Sequence, residues 1–109
     1  MEKNTMFPQG ILDSMPRIGE TSEKDKEQIK VAIKIFNPCG TGTWYLTEFD
    51  GEDTFFGLCS VHEAELGYVS MNELMEVRVP PFGMSLERDL YMSDSFTLSD
   101  AYDAENIHA

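Results

Sequence analysis

Polar and apolar positions alternate most regularly in IKVAIKIF, residues 29–36, where Ile29, Val31, Ile33 and Ile35 fall on one side and Lys30 and Lys34 on the other. A period of two predicts a half-buried β-strand. NPCGTG, residues 37–42, is a turn by composition. TWYLTEF, residues 43–49, follows as a second strand rich in aromatic and β-branched residues. Period two places Trp44, Leu46 and Glu48 on one face and Tyr45, Thr47 and Phe49 on the other, so both faces carry large apolar groups and need cover. Asp50-Gly51 then turns the chain into a third strand, TFFGLCS at 54–60, in a hairpin with the second. Gly57 in its middle marks a bulge or a close approach of another element.

Helical signals lie on either side of this β-rich centre. Residues 7–19 have room for one short turn around Ile11, Leu12 and Met15 before Pro16. The clearest helix runs from 70 to 77: Ser70 is an N-cap, Glu73 stands at capping-box spacing, Val69 and Leu74 form a staple, and Met71, Leu74 and Met75 share a face. Pro80-Pro81 stops it. LERDLYM, residues 86–92, predicts a fourth strand with Leu86, Leu90 and Met92 inward and Arg88 on the same side, where an arginine needs a carboxylate such as Glu48. Thr97 and Asp100 repeat the capping spacing before a short C-terminal helix at 98–106. The expected fold is therefore α+β: a single small domain with a mainly antiparallel sheet of about four strands and short helices packed on it. Residues 1–28 form an N-terminal arm with one short helical turn and 29–109 the domain proper, the whole chain making one unit at 109 residues.

Charge changes this picture more than composition does. The chain carries 8 Lys plus Arg against 20 Asp plus Glu, a formal net charge of -12. Residues 1–34 balance, so the deficit falls entirely on residues 35–109, where Arg78 and Arg88 are the only bases. Such a field repels phosphate backbones within a Debye length of about 8 Å, which disfavours direct nucleic-acid binding. The same field attracts a basic groove on a partner protein, or serves solubility alone. No apolar run is long enough for a membrane span, and MEKNTMFPQG lacks the basic and apolar regions of a signal peptide, so the expected location is cytoplasmic, with no membrane partner.

Three ordered blocks, GTWYLTEFDGEDTFFG at 42–57, ELGYVSMNEL at 65–74 and GMSLERDLYM at 83–92, resemble the DUF2958 family of small bacterial proteins. Val69, Met71, Met84 and Ser85 depart from the usual pattern at packing or loop positions. The resemblance implies a shared fold and a setting in plasmids, conjugative elements and phages, whose cargo includes antagonists of host defence. It implies no activity.

Candidate chemistry is sparse. Cys39, Cys59, His62 and His108 are four residue types that zinc accepts, but their spacing is poor, and reduced structural thiols are the expected state. His62 beside Glu63 and Glu65 lacks the H-E-x-x-H spacing. The carboxylates Glu48, Asp50, Glu52 and Asp53 sit in a turn too short for a calcium loop. The aromatic run Trp44, Tyr45, Phe49, Phe55 and Phe56 lacks the positive groove of a base-stacking platform and is expected in the core. No catalytic, cofactor-binding or metal residue is assigned, and no cofactor is expected. The candidate partner-binding residues are Glu48, Asp50, Glu52, Asp53, Glu63, Glu65, Glu73 and Glu76, expected on one connected surface. Three functions stand open: an acidic interaction protein competing with nucleic acid for a basic surface on a defence or DNA-processing enzyme; a non-catalytic accessory protein of replication or conjugation that binds through an apolar surface; and a carboxylate-using enzyme.

Overall fold

Two strand-turn-strand units dominate the middle of the chain, and everything else packs around them. The computed structural model describes residues 6–107. β1 (Ile33–Phe36), β2 (Thr43–Phe49), β3 (Thr54–Ser60), β4 (Ala64–Ser70) and β5 (Glu87–Arg88) form one sheet in the order β4-β3-β2-β1-β5. Each neighbouring pair is antiparallel. The helices are α1 (Gln9–Ser14), α2 (Met71–Glu76) and α3 (Leu98–Ala104), with a 3-10 turn at Lys26–Gln28. No helix among the described residues is long and apolar enough to cross a membrane.

The sheet has a buried core on each face. Phe7, Leu12 and Met15 from the N-terminal segment, with Leu74 of α2, close the first face over Ile33, Ile35, Leu46, Phe49 and Phe55. Phe7 is fully buried, and with Leu12 and Met15 it builds residues 7–15 into the core instead of leaving them as an arm. On the second face Leu98 and Ala101 of α3 pack with Ile29 and Val31 over Tyr45 and Leu58. The alternation of 29–36 therefore breaks at its midpoint. Ile33 and Ile35 face one core while Ile29 and Val31 face the other. Residues 29–31 leave the sheet to pair with the stretch before α3, through a Lys30–Thr97 bridge, the Val31 N–H to the Phe96 carbonyl and the Leu98 N–H to the Ile29 carbonyl.

A second break of period occurs in β2. The register with β3 shifts between Leu46 and Glu48, leaving Thr47 as an extra residue whose Oγ1 donates to the Phe56 carbonyl at 3.1 Å. Cross-strand partners share a face. Phe49 therefore joins Leu46 and Phe55 in the first core, while Glu48 turns to the face of Tyr45. Gly57 lies opposite Leu46, where a Cβ would meet the Tyr45 carbonyl oxygen at 2.0 Å, so the close approach expected there is real and only glycine satisfies it.

The fourth strand expected at 86–92 shrinks to Glu87–Arg88, because the chain turns at Asp89, whose Oδ1 accepts the Tyr91 N–H. Leu86 is buried and Met92 packs, partly buried, against the second core, but Leu90 is exposed instead of facing inward. The sheet gains β4 instead, from a segment to which the sequence assigned no element. α2 begins at Met71 with Ser70 as its cap, and α3 has a complete capping box between Thr97 and Asp100.

Candidate protein-interaction surface

The densest run of carboxylates, in the β2–β3 hairpin, is mostly committed to holding the fold. Glu48 is 2% exposed. Its carboxylate accepts the Gly19 N–H at 2.8 Å, the Thr21 N–H at 3.0 Å and the Thr21 hydroxyl, and so ties the loop after α1 to the sheet. The bulge at Thr47 explains why Glu48 does not meet Arg88 as expected: it turns the side chain to the second face, where these donors are. Arg88, on β5, pairs through its backbone with Ile35 of β1 and is half-buried. A buried carboxylate is stable only with such donors around it.

Asp50 closes the hairpin turn by accepting the N–H groups of Glu52, Asp53 and Thr54 at 2.8–3.0 Å. These bonds, led by that from Glu52, favour the charged form and lower its pKa. Asp53 reaches across to α2: Oδ2 accepts the Ser70 hydroxyl, Oδ1 accepts the Asn72 N–H at 2.8 Å, and its carbonyl accepts the Met71 N–H at 2.6 Å. Ser70 in turn accepts the Glu73 N–H at 3.2 Å. Asp53 thus joins Ser70 in capping α2, taking the first-turn N–H groups of Met71 and Asn72. Arg17 lies beneath this turn, its Nη1 3.5 Å from the Phe49 carbonyl.

Five of the eight candidate acids remain available. Glu52, Glu63, Glu65, Glu73 and Glu76 are exposed. Neither the Lys26–Glu27 nor the Lys34–Asp89 ion pair uses any of them. Asp53 brings Glu52 of the hairpin to the same end of the sheet as Glu73 and Glu76 of α2. Glu63 and Glu65 lie at the other end of the β3–β4 hairpin, since Thr54 pairs with Ser70 and Ser60 with Ala64. Seven residues of strand separate the two ends by roughly 20 Å. The acids thus form two groups joined along β4, and Glu48 belongs to neither.

The surface that sequence reading missed is apolar. On the second face α3 and the 17–28 segment cover the sheet only as far as β3. An open groove of about 370 Å3 remains, with Thr47 and Glu48 at its base, Phe56, Leu66 and Tyr68 along the strands, and Tyr102 and Lys26 opposite. Tyr68 is 65% and Leu66 44% exposed. The Tyr68 ring leans on Phe56 with centroids 5.0 Å apart. The alternation of Ala64, Leu66 and Tyr68 with Glu65, Gly67 and Val69 was the available signal for both β4 and this strip.

The remaining candidates are dispersed. Cys39 is exposed with its Sγ 3.6 Å from Met84 Sδ, and Cys59 is half-buried, its pKa raised by burial and then by the charge of Glu65. His62 is exposed in the β3–β4 turn, and His108 lies outside the described residues. Among the described residues no group of three His, Cys, Asp or Glu side chains is placed to hold a metal ion. The aromatic run divides between the two faces: Phe49 and Phe55 pack in the first core with centroids 4.7 Å apart, and Trp44 lies half-buried against it. Tyr45 on the second face donates to Glu105 at 2.6 Å, and Glu105 also accepts the Ser60 hydroxyl at 2.7 Å, which clasps the end of α3 to the sheet.

These features define a small α+β domain with a five-stranded antiparallel sheet, exposed acids at both ends of one hairpin and an apolar strip between them. The family model described as Protein of unknown function (DUF2958) matches residues 7–108, and the chain belongs to that family. No curated protein and no solved structure matches it.

Proposed function

We propose that this protein is a non-catalytic interaction module whose partner presents a basic surface, in the first instance the nucleic-acid-binding surface of a defence or DNA-processing enzyme. The observation that carries this reading is the set of exposed carboxylates Glu52, Glu63, Glu65, Glu73 and Glu76, outside the ion pairs seen among the described residues, within a stretch from Ile35 to Val77 that has no Lys or Arg. Charge of one sign over a surface steers a complementary partner and repels nucleic acid itself. The mobile-element setting implied by the family resemblance directs the choice of partner class.

The test is charge reversal on the positions that carry no structural duty. Asp53 is unsuitable, because its loss would uncap α2. Glu52→Lys, Glu73→Lys and Glu76→Lys together should slow association with a partner co-purified from the native host, and the loss should shrink as salt rises. Binding that ignores both the reversal and the salt would overturn the electrostatic reading. It would favour the accessory-protein reading, in which contact runs through an apolar surface, supported by the exposure of Leu66 and Tyr68.

A further inference from the structure

β4 is an edge of the sheet, with β3 on one side and, among the described residues, no strand on the other. It runs seven residues in unbroken register, from Ala64 opposite Ser60 to Ser70 opposite Thr54. In an antiparallel edge strand alternate residues turn their N–H and C=O groups away from the sheet, ready to pair with another chain. Of the devices that normally blunt an edge, AELGYVS has one charge, Glu65, and no Lys, no Pro and no bulge. The opposite edge is handled differently. β5 is two residues long, and the Lys34–Asp89 ion pair at 3.4 Å stands beside it.

The side chains of β4 say what the open edge suits. Leu66 and Tyr68 stand exposed on the groove side, with Tyr68 propped by Phe56. Glu65 projects from the other side, and Glu63 precedes it in the turn. We propose that β4 is the docking edge for an extended basic segment of a protein partner, added as a sixth strand with alternate apolar side chains beside Leu66 and Tyr68 and alternate Lys or Arg beside Glu65 and Glu63. This rests on the reading that the partner is basic and names the place and shape of the contact. Charge complementarity selects the occupant. A second copy would bring another chain of net charge -12, with its own Glu63 and Glu65, against the same edge. A strand of alternating basic and apolar residues meets acid on one side and apolar surface on the other, and its main chain satisfies the outward groups of β4.

The probe is a capped seven-residue peptide of alternating lysine and valine, with two versions of the same charge, one N-methylated at the valines and the other at the lysines. Titrated into the 15N-labelled protein at low ionic strength, the parent peptide should shift the amide signals of residues 64–70 and slow their exchange. One of the two methylated versions faces its blocked nitrogens toward β4 and should bind about tenfold or more weakly, while the other keeps its affinity. Leu66→Lys with Tyr68→Lys should reduce binding similarly, and the peptide comparison holds even if that variant fails to fold. If the shifts centre on Glu52, Glu73 and Glu76 and neither methylation matters, the edge proposal falls while the basic-partner reading stands. If no part of the protein responds to any of the peptides, both fall. If the protein alone sediments as a dimer with residues 64–70 protected, the occupant is a second copy and the proposal is overturned.

Discussion

The two faces of the sheet are finished to different degrees. The first is sealed by parts from both halves of the chain: Phe7, Leu12 and Met15 come from its beginning, and Leu74, Val79 and Leu86 from beyond β4. The second is sealed only over Tyr45 of β2 and Leu58 of β3, where Leu98, Ala101, Ile29 and Val31 lie, and stops short of Leu66 and Tyr68. The difference is one of supply: the helix placed on the second face is the seven-residue α3, and the loop beside it is held down at Glu48, short of the strip. Burial thus separates residues that make the fold from residues free to contact a partner, even where they are neighbours on the same strand.

Mutations can break this comparison. On the sealed face, Phe55→Ala should destabilise by about 3–5 kcal/mol, read as a lower denaturant midpoint. Gly57→Ala belongs with it although it removes nothing. A methyl set 2.0 Å from the Tyr45 carbonyl oxygen forces β2 and β3 apart, and a loss of about 3 kcal/mol is expected. Retained stability there would mean that the bulge relaxes. Glu48→Ala strands the Gly19 and Thr21 donors and should lower stability by about 2–3 kcal/mol, with faster proteolysis within residues 17–28 as a local readout. Ser70→Ala, which removes one side of the link between Asp53 and α2, should cost about 1 kcal/mol. On the open strip, Leu66→Ser with Tyr68→Ser should move the midpoint by less than about 0.5 kcal/mol. A large loss from that pair would show that the second face is closed after all.

The smallest effect expected is in the pH dependence. The carboxyl of Asp50 is held below its ordinary range by the turn N–H groups of Glu52, Thr54 and Asp53, so its contribution is present above the unfolded value of about 3.9 and is lost as pH falls through the folded one. Asp50→Asn should accordingly flatten the acid limb of the stability profile below about pH 4. An unchanged acid limb would detach Asp50 from the turn.

What could be read beforehand was whatever depended on local pattern. The strands at 43–49 and 54–60 and the Ser70 and Thr97 caps announce themselves within a few residues. Gly57 did as well, since a glycine inside an aromatic strand gives up side-chain packing, and that suits a place where another backbone comes close. Illegible positions were those decided by a partner far along the chain. Glu48 was expected among the acids of the turn or beside Arg88, and only the extra residue at Thr47 and the donors of Gly19 and Thr21 make it an anchor on the second face. Asp53 looked interchangeable with Glu52, yet one caps a helix and the other stands exposed. β4 was obscured for a different reason: Gly67 and the acids around it dilute the apolar alternation that its pairing with β3 makes plain.

The route of the chain through the sheet also bears on how the protein is made. β1 lies between β2 and β5, and residues 29–31 just before it pair with the stretch leading into α3. A strand synthesised in the first third of the chain therefore waits for partners encoded in the last quarter. The β2–β3–β4 meander can assemble as it emerges from the ribosome, but Val31 stays uncovered and the outer edge of β1 unpaired until residues 86–101 follow. Nascent chains halted before Leu86 should accordingly be held by chaperones and cut readily by protease, and protection should arrive in one step near the end of translation.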